Sequence, residues 1–385
     1  MGVDRAGERR VAGAWAARRV ALYALASALA IGAAGARAAA DAGCDEGGGI
    51  GGTGVFVAQR PAEPVPPAPA GPNTPKPPEP AGGIGGTGIR AGLPVGAQVA
   101  LVGTIARFGS LCVNGTRIAY DDDVPTELHG AAGAARDLRA GHLVRVDAEV
   151  DADRVRARRI RVLDAVTGPV TARDEAAGLF RVMGLPVRLD SGTHIGLSGP
   201  SLPELGTAVR VNGLLSPAGE LIASRIERAL ADELAQIVAR VTEVDGRSAE
   251  VGATRVEFGV DLPLDALRLG SEVLVRGRWE DDALRATQPA EVEPRLQRAA
   301  LGARVSLEGW LHECSNGPGV GMDGVALALD ASELPPGWLG RRAVATGQAG
   351  RDGRFEVERV VLQPGMTSTG ATLPALARCD ARLAR

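Results

Sequence analysis

The chain has 385 residues and a formal net charge of -3, with 45% apolar residues but only 3% aromatics. Its 53 glycines and 25 prolines argue against a helical bundle and for many turns. The four cysteines are too few for a disulfide-dense miniprotein, and the apolar content is too high for a disordered chain.

The N-terminus reads as an address. Arg5, Arg9, Arg10, Arg18 and Arg19 precede an uncharged stretch from Val20 to Gly35, and small residues follow at Ala36 to Ala40. A basic start, a short apolar middle and an A-x-A exit describe an export signal over residues 1–40, cleaved near Ala38–Ala40. The apolar run, about 16 residues and rich in Ala, falls short of the roughly 20 needed to span a bilayer. Cys44 follows Asp41-Ala42-Gly43, and an Asp there is a poor approach to a lipidated cysteine. The expected location is therefore the periplasm or the exterior. Without the leader the chain is acidic, with a net charge of about -7, which disfavours a phosphate backbone as partner.

Residues 41–97 form a Gly/Pro-rich tail expected to be disordered. Ten prolines lie between Pro61 and Pro80, a composition that favours extended polyproline II over helix or ladder. Two copies of GGIGGTG, Gly48–Gly54 and Gly82–Gly88, bracket it. Each contains G-x-G-x-x-G, but neither follows a strand or opens a helix, so neither carries a dinucleotide loop.

From residue 98 a repeat takes over. Gly141, Gly206, Gly270 and Gly340 each precede small or β-branched residues at +3, +5 and +7, and they recur about every 65–70 residues. A strand of the form V-x-A-x-x-I follows, as in Val155–Ile160, Leu221–Ile226 and Phe355–Val360, with a shorter remnant at Leu284-Arg285-Ala286. A strand-turn-strand precedes the anchor, as in Val113–Ile118 and Val251–Val256. The period of two in Val144–Val150 requires a sheet with one buried face. Four modules are expected, at 98–166, 167–229, 230–296 and 297–385. Each is a small antiparallel OB-like β-barrel, so the fold class is mostly β. One helix is expected over Ile226–Ala239, where Leu230, Leu234, Ile237 and Val238 follow helical spacing, linking the second and third modules.

Gly103-Thr104-Ile105, Phe108-Gly109-Ser110, Val113-Asn114-Gly115 and the Asp137–Gly141 anchor, with the GGIGGTG lead-in, resemble exported bacterial proteins of domain-of-unknown-function family 5666. The resemblance implies small OB-like modules in envelope or secreted proteins and no established activity. No catalytic residue or cofactor follows from it.

Chemistry is hard to find in the residues themselves. His129, His142, His194 and His312 show no ligand spacing, so no metal site is expected from the pattern. Asp121-Asp122-Asp123 lacks the glycine turn of a calcium loop. The basic run Arg154, Arg156, Arg158, Arg159 and Arg161 faces Asp147, Glu149, Asp151 and Asp153 across a hairpin and reads as a balanced solvent face. The expected function is a non-catalytic envelope binding or scaffold protein contacting another protein or a glycan. One alternative is single-stranded nucleic-acid or oligosaccharide binding by the modules. Another is a hydrolase with its site between modules, to be sought where the first two meet. Two disulfides are expected, Cys314 with Cys379 and Cys44 with Cys112.

Overall fold

A computed structural model describes Cys44, Cys379 and residues 93–363, except 109–110, 153, 198–201, 231, 293–301, 316–318 and 351–353. The expected leader, nearly all of the Gly/Pro-rich tail and the segment after residue 363 other than Cys379 lie outside the described residues. No described helix is long and apolar enough to cross a membrane.

The described chain is nearly all β, with two short 3-10 turns at Ala135–Asp137 and Ala331–Glu333 as its helical content. Module 1 uses five strands: Gln98–Arg107, Leu111–Val113, Thr116–Ala119, Leu143–Asp151 and Arg154–Val162. The first pairs with the second, the second with the third, and the fifth with the fourth, all antiparallel. A parallel pairing of the third with the fifth, Ile118 opposite Val155, and an antiparallel one of the fourth with the first close the barrel. The cyclic order 1-2-3-5-4 is that of an OB-like barrel.

Module 2 repeats this order with Val166–Asp174, Leu179–Val182, Leu185–Arg188, Ala208–Leu215 and Leu221–Arg228. Module 3 does so with Ala235–Asp245, Ser248–Val251, Thr254–Phe258, Glu272–Glu280 and Ala283–Ala286. In module 4 the strands are Arg304–Glu313, Val320–Met322, Val325–Ala326, Arg342–Ala349 and Phe355–Leu362. Its closure is a single parallel bridge, Leu327 to Phe355.

The four anchor glycines occupy equivalent places, each two residues before a fourth strand. Gly141, Gly206, Gly270 and Gly340 have φ of +85°, +76°, +82° and +76°, a region L side chains rarely adopt. Each N–H donates to the first strand, at Ile105, Val170, Val241 and Leu311, over 2.8–2.9 Å. The residue after each glycine accepts a bond back from the same strand residue. That reciprocal pair turns the chain into the fourth strand and starts its ladder. Seven residues on, the fourth strand passes close against the fifth. A Cβ at Gly213, Gly277 or Gly347 would collide with the carbonyl of Ile222, Arg285 or Glu356.

The helix expected over Ile226–Ala239 does not form. Ile226–Arg228 ends the last strand of module 2, and Ala235 opens the first strand of module 3. Ala235, Ile237, Ala239 and Val241 alternate into the core, which the β-branched Ile237 and Val241 favour. Leu230 and Leu234, the residues that supplied the helical spacing, are exposed in the connection.

The modules associate in an order that differs from the chain order. The first strands of modules 1 and 4 run parallel, from Val99 opposite Arg304 to Val102 opposite Leu307. Those of modules 2 and 3 meet antiparallel at Val166–Ile237 and Thr167–Gln236. Ala100 and Val102 project into the module 4 core, while modules 2 and 3 share one apolar cluster. Leu143, Leu214, Ile222 and Trp310 join modules 1, 2 and 4.

Disulfides join Cys44 to Cys112 and Cys314 to Cys379, with Cα atoms 5.9 and 5.5 Å apart. They are consistent with an extracellular or periplasmic protein. The second spans 65 residues, and closing a loop of that length contributes about 4 kcal/mol in the chain-entropy picture. Cys314→Ser with Cys379→Ser is expected to lower stability by that order, read as an earlier urea midpoint under non-reducing conditions. The two glycine classes separate by the same measurement. Gly206→Ala has open space around its Cβ and should cost about 1–2 kcal/mol of backbone strain. Gly277→Ala must displace a strand carbonyl and should cost about 3 kcal/mol.

Candidate functional site

Two places combine chemistry with access, and each lies where barrels meet. One is a groove of about 450 Å³ between modules 2 and 3. Its floor is rigid: the buried Thr254 hydroxyl donates to the Met183 carbonyl at 2.6 Å, and Gly184 sits so close that a Cβ would strike the Ala253 carbonyl. Trp279, on the fourth strand of module 3, is half-buried against the shared core and lines the groove. Around it stand the carboxylates of Glu243, Asp245, Glu250 and Asp282. Asp282 is aimed there by a two-residue hairpin turn in which Asp281 and Asp282 take φ of +49° and +57°. Arg255 is the lining cation, and it lies 3.4 Å from Glu257. Among the described residues none of the four lining carboxylates makes an ion pair. A half-covered indole flanked by unpaired carboxylates can stack an apolar face while accepting hydrogen bonds from hydroxyl or ammonium donors.

The second place is the seam of modules 1 and 2. A small hairpin, Thr126–Leu128 with Ala131–Gly133, is inserted in module 1 between the third and fourth strands, and His129 sits in its turn at φ +54°. His142 follows the anchor Gly141 and is buried. Asp164 lies in the connection between the modules, and Glu227 near the end of module 2's fifth strand. His129 Nδ1 lies 2.8 Å from Asp164 Oδ2, and His142 Nε2 lies 3.3 Å from Glu227 Oε2. The two imidazoles meet edge to face, with centroids 6.0 Å apart. Asn212 Nδ2 donates to the other Asp164 oxygen at 2.9 Å, and Arg225 Nε donates to Glu227 Oε1 at 2.8 Å. Burial alone would raise the Glu227 carboxyl, but the bonds from His142 and Arg225 outweigh it and hold it at about 2.

The other residues singled out in the sequence do different work. Arg156 pairs with Asp121 at 2.9 Å and Asp151 at 3.1 Å, Arg158 pairs with Glu149, and Arg161 with Glu127 at 3.0 Å. Asp121, of the acidic triplet, is thus an arginine partner. Trp310, Trp338, Phe180, Phe258 and Phe355 fill cores. His194 is exposed on a two-residue strand, with its ring near Gly141. His312 is buried on the first strand of module 4. The sequence carries no spacing signal for the seam cluster: His129 and His142 belong to module 1, and Glu227, 85 residues beyond His142, joins them only when module 2 docks.

The family described as Domain of unknown function (DUF5666) matches twice, over residues 100–161 and 167–227. These segments are two tandem DUF5666 domains. They are modules 1 and 2, and modules 3 and 4 reproduce the strand order of modules 1 and 2 outside the matched residues. No curated protein matches the chain.

His312 offers a pH handle on the packing of these modules. Burial, and then the nearby Arg240 charge, push its pKa down to about 4, against smaller opposing effects of the Glu313 carbonyl and Glu272. Between about pH 6.5 and 4 the unfolded chain holds the proton that the folded one excludes. Stability present above pH 6.5 therefore falls as pH drops through that window, by up to about 3 kcal/mol. His312→Gln is expected to flatten this stretch, measured as urea midpoints at pH 7, 5.5 and 4.

Proposed function

We propose that this protein is an exported, non-catalytic binding protein of the cell envelope, and that its groove between modules 2 and 3 receives a glycan. Support for export comes from the basic-apolar-small pattern of residues 1–40 and from the two disulfides. The observation that carries the ligand class is Trp279 set among the unpaired carboxylates of Glu243, Asp245, Glu250 and Asp282. Sugar rings offer an apolar C–H face for an indole and hydroxyl donors for carboxylates. An uncharged or amino-bearing sugar fits this groove, whereas an acidic one is repelled.

The same charges speak against nucleic acid, since phosphates would meet four carboxylates at the half-buried indole. Arg156, Arg158 and Arg161 of the module 1 arginine strand are engaged with acids of the same module, which leaves less free positive charge for a phosphate backbone.

Binding of the chain to an array of neutral, amino-bearing and acidic glycans tests the proposal. The expected result is binding in the first two classes, weakened roughly tenfold by Trp279→Ala, a loss of about 1–2 kcal/mol. Arg156→Glu with Arg158→Glu should leave it unchanged. A salt-sensitive shift with single-stranded DNA, abolished by that arginine pair and untouched at Trp279, would replace this reading with the nucleic-acid one.

A further inference from the structure

We propose that the seam of modules 1 and 2 is a binding site for a divalent transition-metal ion, held by His129 Nε2, His142 Nε2 and Glu227 Oε2. One donor atom from each of the three residues lies within 4.8 Å of the others. Glu227 Oε2 is 3.3 Å from His142 Nε2 and 3.9 Å from His129 Nε2. Ligands about 2.0–2.1 Å from a tetrahedral zinc stand about 3.3 Å apart, so one edge is already at that length and the others close as His129 moves on its turn. Two imidazoles and a carboxylate suit zinc and its first-row neighbours and leave a coordination position open.

The surrounding groups are arranged as ligand supports. Asp164 accepts from His129 Nδ1, which leaves Nε2 with its lone pair facing the cluster. Asn212 fixes Asp164, and Arg225 holds the Glu227 oxygen that the histidines do not face. His129 and Glu227 side chains are each 19% exposed while His142 is 1% exposed, so an ion has a route in from one side.

The metal-free state has its own occupant. The Arg139 N–H donates to His142 Nδ1 at 3.1 Å, so the His142 proton rests on Nε2 and is shared with Glu227. An ion takes the place of that proton. The ring then carries its proton on Nδ1, the Arg139 bond is given up, and the 139–142 turn must move. Loading is thereby coupled to Gly141, the anchor of module 1, whose carbonyl accepts from Ser224 of module 2 at 2.6 Å.

Calorimetric titration of the chelator-stripped full chain with Zn²⁺ tests the site. The expected result is one ion per chain with micromolar or tighter affinity. His129→Gln and Glu227→Gln should each weaken it at least 100-fold, and Asp164→Asn, which removes a positioning group, about 10–100-fold. His194→Ala should bind as the parent does. Should a seam variant fail to fold, the parent chain still decides: Co²⁺ should give the intense visible bands of a four-coordinate site, with loss of the Arg139 amide resonance position. Absence of tight Zn²⁺ binding by the parent overturns the proposal, as does binding that persists in folded His129→Gln or a six-coordinate Co²⁺ spectrum with Arg139 unmoved.

Discussion

Everything in this architecture depends on a strand that is too long for its partner. In each barrel the first strand runs well beyond the short second strand, so half of one edge has no mate inside its own module. In module 1 the second strand pairs only near Ile105–Arg107, while the fourth strand covers the opposite edge from Gln98 to Thr104. Bare N–H and C=O groups along a strand are costly to bury and hazardous to expose. The protein satisfies them with another first strand. Module 1 uses residues 99–102 against module 4, and module 2 uses Val166 and Thr167 against module 3. Four barrels thus become two pairs, and the pairing brings the first and last modules together.

Partner choice is written into the seams in polar groups. Between modules 1 and 4, the Glu308 carboxylate accepts from the Thr104 N–H at 2.7 Å and from Arg342 at 2.9 Å. Asn114 Nδ2 bridges the Val102 carbonyl and the Ser306 hydroxyl at 2.9 and 3.1 Å. Among the described residues, modules 2 and 3 have no counterpart of Glu308 at their first-strand seam. They use Thr254 against Met183, and Gln236 reaches the Asp164 carbonyl at 2.8 Å. Glu308 and Arg342 both belong to module 4, so a swapped pair would keep their ion pair but take from it the Thr104 N–H and hydroxyl of module 1. A buried polar group left short of a partner is penalised more than a satisfied one is rewarded. The polar seam sets which edges meet, and the shared aliphatic core supplies the cohesion.

The barrels were legible because their determinants are local. Alternation in Leu143–Asp151 fixes a face, a glycine at positive φ fixes where the fourth strand starts, and both lie within a few residues of each other. Ile226–Ala239 misled because Leu230 and Leu234 mimic a helical stripe while sitting on an exposed connection. There the β-branched Ile237 and Val241 were the better guide. Module pairing left no trace in the pattern, since an unpaired half-edge is a difference in strand length and not a residue type. The histidine cluster was hidden for a related reason. His142 gains Glu227 as a neighbour only through the docking of Gly141 on Ser224, which no spacing within one module encodes.

Both chemical sites are therefore properties of the array. Module 2 gives Thr171, Met183 and Gly184 to the groove, and module 3 gives Trp279 and the carboxylates. At the other seam module 1 gives His129 and His142, module 2 gives Asn212, Arg225 and Glu227, and the connection gives Asp164. No single barrel holds the whole of either candidate site. The barrel itself needs its glycines, its alternating strands and a free half-edge, and none of the three calls for an imidazole, a carboxylate or an indole at positions 129, 227 or 279. Fold and chemistry are thus carried by different residues. A module can keep its strand order while the surfaces it offers to its neighbours change, and it is the neighbours that decide what the array can bind.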